Sequence, residues 1–373
     1  MRPAEIETLE EFDRRTAGRT SIQGWHLQSL DLRGRADLLA RLDLGRAVFL
    51  GCRLAASGPG GEDDVRRRGG LVFPTVPDVP FNPYRGSLYS ADELYADLAT
   101  GYAGTPDATV YAWSQTPRTL EKRLAEALHD HAVDDALEEF VRLQRRRRPL
   151  VGVMGGHAAL RGDEVYHRAT LLGRQLSRHF TVVTGGGPGA MEAANLGAWL
   201  AAEDDSVLDE AERHLAAVPS FAEDVAAWAL RAFEVRERWP TAGTSLGTSL
   251  GIPTWFYGHE PPNVFATSIA KYFRNALRED ELLRICEAGI VFLPGAAGTV
   301  QEIFQDACGN FYAQPDRVSP MVLVGRDYWT RRLPAWPLLQ SLARGRAFDA
   351  RLHLVDGPEE VLPLLLEVGG GPG

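Results

Sequence analysis

Phe180-Thr181-Val182-Val183-Thr184, followed directly by Gly185-Gly186-Gly187-Pro188-Gly189, is the stretch of this 373-residue chain that decides its fold. A short, continuous run of apolar and β-branched residues is typical of a strand buried in a parallel sheet. The glycines mark a sharp turn at its end, and we expect a helix from there to Ala202. Strand, tight turn and helix together are the repeating unit of an α/β fold.

The same alternation of strand and helix begins at Leu150 and continues beyond this unit. Further apolar runs predict strands at residues 150–154, 252–257, 289–293 and 321–324. A helix is expected between the first two strands, from Asp163 to Arg178. We therefore predict a doubly wound, mostly parallel, Rossmann-like α/β domain over residues 149–367.

The chain before this domain has a different character. Residues 1–118 combine short apolar pieces with Gly, Pro and charge clusters, and predict an α+β extension without an assignable repeat or chemical motif. Apolar residues at helical spacing predict a connecting helix over 119–148, which ends in Arg145–Arg148. We interpret these arginines as a solvated helix end rather than a nucleic-acid or localisation signal. The glycine-rich tail, 368–373, is expected to be disordered.

Composition excludes several classes of protein. With 45% hydrophobic and 24% charged residues, the chain is typical of globular proteins and not of collagenous, disordered or disulfide-rich ones. A net charge of −10 argues against nucleic acid as a partner. Three scattered cysteines form neither a zinc motif nor a disulfide framework, and we find no signal peptide or transmembrane run. We expect a cytoplasmic protein without a bound metal, cofactor or membrane partner.

Three glycine-containing turns each follow a predicted strand. They are Gly155-Gly156-His157, Gly185–Gly189 with Ala190, and Pro294-Gly295-Ala296-Ala297-Gly298-Thr299. In an open parallel sheet the carboxyl ends of neighbouring strands share one edge, where ligands bind. Glycines let the backbone approach an anion closely, and each following helix presents unpaired N–H groups. The turns therefore favour a phosphate-binding site.

The second turn also satisfies the dinucleotide pattern G-x-G-x-x-A, through Gly185, Gly187 and Ala190. That pattern requires an acidic residue about 20 positions later, at the end of the next strand. The acidic residues 203–205 have the distance but follow no predicted strand. NAD binding is therefore disfavoured.

Thr299-Val300-Gln301-Glu302 has two interpretations. The pattern T-x-x-E is a capping box, in which the Glu302 carboxylate would accept a hydrogen bond from the N–H of Thr299. A carboxylate on the first turn of a helix beside an anion-binding loop can instead orient a water molecule or contact a ribose hydroxyl. Spacing alone leaves both open.

The second and third turns resemble the paired signatures of the LOG family, GGGxxG[AL]M and PGGxGTxxE, over residues 148–345. Gly155-Gly156-His157 and Glu260-Pro261-Pro262-Asn263 are more similar to its bacterial pyrimidine/purine nucleotide 5′-monophosphate nucleosidases than to its plant members. The resemblance implies a Rossmann-like phosphoribohydrolase that cleaves nucleoside 5′-monophosphates into free base and ribose 5-phosphate. It also implies a homodimer or higher homo-oligomer.

The resemblance assigns roles to particular residues. Glu302 is the implied catalytic carboxylate, and Arg278 is the implied catalytic arginine, with Arg274 as the fallback. The chain departs from the family at Ala296, where a methyl group replaces a glycine hydrogen. The implied substrate- and phosphate-binding residues are Gly155, Gly156, Gly185, Gly186, Gly187, Gly189, Ala190, Met191, Asn263, Gly295, Ala296, Gly298 and Thr299.

Other candidates are weaker. His157 and His259 follow the same edge but are lone loop histidines, and Ser245 and Ser249 lie in a predicted flexible loop without a nucleophile elbow. The aromatic group 255–257 could stack on a base or belong to a buried strand. A non-catalytic nucleotide sensor or carrier, with the same phosphate-binding turns, is the alternative function.

Overall fold

The computed structural model describes residues 5–241, 245–256 and 260–369, which form two compact units. The smaller unit contains the chain up to Leu88 together with Gln115–Leu137. The larger contains Tyr89–Ser114 together with the chain from Glu138 onward. The domain limits expected from the sequence, at residues 118 and 148, stay a prediction.

The smaller unit contains a four-stranded parallel sheet in the order β1-β2-β3-β4. Its strands are β1 (Glu5–Ile6), β2 (His26–Gln28), β3 (Val48–Leu50) and β4 (Leu71–Phe73). Its short helices are α1 (Leu9–Thr16), α2 (Ala36–Leu39) and α3 (Glu62–Arg67). Strands and helices alternate along the chain, and the order of the strands in the sheet follows their order in the sequence.

The strands of this sheet recur at a nearly constant interval along the chain. Register pairs His26 with Val48 and Val48 with Leu71, so successive strands begin about 22 residues apart, within the range of strand-plus-helix solenoids. Leu27 and Phe49 occupy equivalent buried positions. The repeat is hard to recognise in the sequence because each strand has only two or three residues and the connections differ.

The remaining helices and strands belong to the larger unit, except that α6 contains residues of both. The helices are α4 (Ala91–Leu94), α5 (Pro106–Ser114), α6 (Leu120–Arg145), α7 (Glu164–Ser177), α8 (Ala190–Trp199), α9 (Asp205–Leu215), α10 (Val225–Arg238), α11 (Asn275–Arg284), α12 (Ala297–Tyr312), α13 (Ala335–Ala343) and α14 (Val361–Gly369). The strands are β5 (Leu150–Met154), β6 (Thr181–Thr184), β7 (Ser249–Gly251), β8 (Ser268–Ile269), β9 (Ile290–Phe292), β10 (Met321–Val324) and β11 (Leu352–Val355).

The sheet of the larger unit confirms the doubly wound, Rossmann-like α/β fold. Its seven strands are all parallel, in the order β11-β10-β9-β5-β6-β7-β8. β5 and β6 are buried along their whole length, because helices cover both faces of such a sheet. After β5 the chain adds β6 on one side of β5, and later adds β9 on the other side. The strand order reverses at this point, so a crevice opens between β5 and β9.

The predicted strand over residues 252–257 is wrong. The strand there is β7, which ends before Ile252, and Tyr257 lies outside the described residues. Ser249, predicted to lie in a flexible loop, is buried in β7 with its hydroxyl donating to the carbonyl of Phe265 over 3.4 Å. Pro253 has no N–H for the sheet, so beyond β7 the pairing is reduced to an isolated parallel bridge between Thr254 and Tyr272.

A buried ion pair fixes the segment before α7 against α8. The guanidinium of Arg161 donates to the Glu192 carboxylate through Nε, over 3.2 Å, and Nη2, over 2.5 Å. Its Nη1 donates to the carbonyl of Trp228 over 2.9 Å. Both charged side chains are 1% exposed, so neither has water as an alternative partner.

Glu192→Ala should lower the free energy of unfolding by about 3–5 kcal/mol, because it leaves the Arg161 charge buried and unpaired. Glu210, which pairs with Arg238 on the surface, supplies the matched control. Glu210→Ala should cost about 1 kcal/mol or less. Urea unfolding of the three proteins measures both values, and equal losses in the two variants would contradict this role of Glu192.

Candidate functional site

A cavity of about 770 Å³ lies at the carboxyl ends of β5, β6 and β9. We call it the crevice. It is lined by many of the residues predicted to form the site: Gly155, Gly156, Gly185, Gly187, Met191, Arg278, Gly295, Ala296, Gly298, Thr299 and Glu302. The three glycine turns therefore lie around one cavity, as their positions after neighbouring strands predict.

Five predicted residues do not line the crevice: Gly186, Gly189, Ala190, Asn263 and Arg274. Asn263 is fully buried, and its amide donates to the carbonyl of Gly187 over 3.2 Å, so it holds the second turn from behind. Arg274 is exposed at the start of α11. The binding roles assigned to all these residues stay predictions.

At several positions in the second turn a Cβ would lie too close to neighbouring atoms. Gly189 precedes α8 with φ of +73°, and a Cβ there would lie 2.7 Å from the carbonyl oxygen of Gly156. A Cβ at Gly185 would lie 2.5 Å from Nη2 of Arg278. The first two turns are thus packed against each other, and the second makes room for the arginine.

Arg278 reaches the crevice from α11 and is held by three acceptors. Its Nε donates to the carbonyl of Ile252 over 2.6 Å, and Nη2 donates to the carbonyl of Gly185 over 3.2 Å. Nη1 donates to Oε1 of Glu302 over 3.4 Å. These bonds fix the plane of the guanidinium, a geometry that a lysine ammonium does not reproduce.

Glu302 is not part of a capping box. Helix α12 begins at Ala297, with Ala296 as the residue before it, so Thr299 lies inside the first turn instead of preceding it. The Glu302 carboxylate contacts Arg278 at the floor of the crevice. The capping interpretation is therefore wrong, because the helix starts three residues earlier than the pattern T-x-x-E implies.

The protonation of Glu302 changes near neutral pH. Burial raises the pKa of Glu302 to about 7, opposed by the charge of Arg278 and reinforced by the negative charges of Glu279 and Glu260. A carboxyl group with a pKa near the working pH is suited to accept or donate a proton in catalysis.

Ala296 lies in the third turn with a negative φ of −99°, and its side chain is exposed and lines the crevice. Gly298, after Ala297, has open space around it, since a Cβ there would meet no atom within 4 Å. The departure from the LOG signature at Ala296 therefore adds one methyl group to the crevice wall.

The crevice contains polar residues that the sequence does not single out as site residues. Glu279 is buried and accepts hydrogen bonds from the amides of Asn275, over 2.6 Å, and Gln301. The hydroxyl of Tyr328 donates to the carbonyl of Gly295 over 2.6 Å. Tyr328 follows β10, which neighbours β9, so inspection of the residues after this fourth strand end would have found it.

Two loop side chains lie at the rim. Nδ1 of His157 is 3.4 Å from Oε1 of Glu260, and both side chains are more than one-third exposed. His259, the other candidate histidine, lies outside the described residues. Over the described ranges, no group of three His, Cys, Asp or Glu side chains is placed to hold a metal ion. Within the same ranges, no helix has the length and apolar character needed to cross a membrane.

Comparison with known proteins gives only distant structural matches. No family model matches the chain, and no curated protein matches it. The molybdenum cofactor binding protein from Rippkaea orientalis is 17% identical over 60% of this chain and 98% of its own, with a TM-score of 0.37. The molybdenum cofactor carrier protein MCP from Chlamydomonas reinhardtii is 16% identical over 60% of this chain and 100% of its own, with a TM-score of 0.38. Matches this weak support no conclusion about ligand or activity.

Proposed function

We propose that this chain is a LOG-type nucleoside 5′-monophosphate phosphoribohydrolase, which hydrolyses the N-glycosidic bond to free base and ribose 5-phosphate. One observation carries the proposal. A buried carboxyl group with a pKa near neutrality, Glu302, and a fixed guanidinium, Arg278, face the same crevice, which is framed by three glycine turns.

The reaction needs a group that orients a water molecule at C1′ of the sugar and accepts its proton. As the bond from C1′ to the base breaks, its electron pair leaves with the base and C1′ gains oxocarbenium character. The Glu302 carboxylate orients the attacking water and takes its proton, while the oxygen bonds to C1′. The released base takes up one proton, so the overall reaction consumes one water molecule.

Phosphate binding is assigned to the first turn of α12. Ala297 and Gly298 are exposed there and line the crevice, and the amino-terminal end of a helix offers N–H donors and a positive dipole end. The carboxylate of Glu260 lies beside Gly187 of the second turn, where it would repel a phosphate. We therefore place the phosphate at α12 and leave Arg278 to neutralise charge on the phosphate or on the departing base.

Among the remaining properties, the homo-oligomer is implied by the resemblance, and the others are expected from composition, charge and motifs. We propose a cytoplasmic homodimer or higher homo-oligomer that uses no cofactor and binds neither nucleic acid nor membrane.

The test is a panel of nucleoside 5′-monophosphates incubated with the full chain, with free base and ribose 5-phosphate measured separately. We expect equimolar release of both products from at least one nucleotide, and none from the matching nucleosides, which lack the phosphate. Binding without release would support the alternative, a non-catalytic nucleotide sensor or carrier.

The pH dependence of kcat/KM tests the role of Glu302. Since the carboxylate is the active form and its pKa is about 7, kcat/KM should rise tenfold per pH unit below pH 7 and level off above it. If Glu302 acted as the proton donor, kcat/KM would instead be level below pH 7 and fall above it. A profile that is flat from pH 5.5 to 8.5 would contradict both.

A further inference from the structure

A second cavity, of about 610 Å³, lies in the smaller unit at the carboxyl ends of its parallel strands. Ser29 and Gly51, which directly follow β2 and β3, line it at equivalent register positions. Both adopt the left-handed conformation, with φ of 56° and 61°. For Ser29 this left-handed conformation costs about 1 kcal/mol of folding free energy. The backbone after β2 therefore lowers the stability of the fold.

One wall of this cavity is the segment 74–84, which we call the strap. The strap leaves the end of β4 and returns over the ends of β2 and β3. The Tyr84 hydroxyl donates to the carbonyl of Pro74 over 3.0 Å, which ties the two ends of the strap together. The Asn82 amide donates to the hydroxyl of Ser29 over 2.9 Å, and the Tyr84 ring covers Gly51, where a Cβ would lie 2.6 Å from it.

The composition of the strap makes it a rigid wall. Prolines stand at every third position, at 74, 77, 80 and 83, and each fixes one backbone dihedral angle. Little conformational entropy is therefore left to lose when a ligand enters, and the volume lies within the usual range for small-molecule sites.

Among the described residues that line this cavity, one cationic side chain is available to a ligand. Arg33 binds both carboxylate oxygens of Asp31, over 2.8 and 2.5 Å, so Asp31 is already neutralised. Arg53 lines the same cavity and lies close enough to Asp31 to contribute to its lowered pKa. Among the described residues, no carboxylate oxygen lies within 4.0 Å of the Arg53 guanidinium.

The strap contributes apolar lining to the cavity through Val76, Val79 and Pro80. We propose that this cavity binds a small organic anion, in which a carboxylate or phosphate monoester pairs with Arg53 and an apolar group packs on the strap. The inference does not depend on the reaction proposed for the crevice, because the two cavities share no residues.

Four probes with the same ring test the proposal: benzyl phosphate, phenylacetate, benzyl alcohol and benzylamine. Binding of each to the full chain is measured by isothermal titration calorimetry, with Arg278→Gln as the background to weaken anion binding in the crevice. We expect one or both anions to bind and the neutral and cationic probes to bind at least tenfold more weakly.

Arg53→Gln should weaken binding of the anions about tenfold or more, whereas Arg41→Gln should leave it unchanged. Arg41 is an exposed arginine of the same unit that does not line the cavity, so it controls for the loss of surface charge. Val79→Asp, which places a negative charge on the strap, should also abolish binding. No binding of either anion, or equal weakening in the Arg53 and Arg41 variants, would overturn the proposal.

Discussion

Glu302→Gln should lower kcat for nucleotide hydrolysis by about 10²–10⁴, the usual contribution of a positioned acid or base. Glutamine keeps the size and the hydrogen-bonding reach of glutamate but cannot accept the proton of the attacking water. Substrate binding should therefore change little, so that KM stays within about threefold of its original value. Product release measured over time against nucleotide concentration separates the two constants.

Glu287→Gln is the matched control for this variant. Glu287 lies on the surface, where its carboxylate pairs with Arg145, and the substitution removes the same charge outside the crevice. We expect its kcat to equal that of the unmodified chain. A Glu302→Gln protein with unchanged kcat would show that the buried carboxyl group has no part in the chemistry.

Arg278→Lys should lower kcat/KM by about 10²–10³, comparable with the loss of one donor from a preorganised anion site. The Arg278 guanidinium is oriented by the carbonyls of Ile252 and Gly185, and an ammonium group cannot satisfy both while facing the crevice. The charge of Arg278 also lowers the pKa of Glu302. In Arg278→Gln, the rise of kcat/KM with pH should therefore have its midpoint above pH 7.

The same experiment decides between the two candidate arginines. Arg274 begins α11, is exposed, and does not line the crevice. Arg274→Lys should therefore keep at least half of the original kcat/KM. A large loss in the Arg274 variant together with an active Arg278 variant would reverse the assignment.

The central strands of the larger unit were predictable from the sequence because their physical requirements are strict. β5, β6, β9 and β10 are buried in the sheet, so each needs a continuous apolar run, and a glycine turn follows the first three. These requirements leave a clear pattern in a single sequence.

Other elements left no such pattern. β7 has only three residues, of which two are Ser249 and Gly251, and its position in the sheet depends on pairing with β6. Ile252 and Trp255 are buried by packing and not as part of a regular strand, and Phe256 is exposed. In the smaller unit the strands are shorter still, so the repeat is defined by register, which only the folded chain displays.

The candidate site was likewise predictable in part from the sequence. Turn positions place Glu302 at the correct sheet edge, and the resemblance to the LOG family adds Arg278. The environment of Glu302 was not predictable, because its burial and the contributions of Glu279 and Glu260 bring together residues distant in sequence. The capping pattern misleads for a related reason: where α12 begins depends on how the third turn packs.

Parallel measurement of free base and ribose 5-phosphate, from one nucleoside monophosphate with the unmodified chain and with Glu302→Gln, tests the proposed reaction most directly. Cleavage at C1′ predicts that both products appear in equal amounts with the unmodified chain and that their rate falls at least 100-fold in the variant. Recovery of intact nucleotide from a saturated complex of the unmodified chain would contradict it.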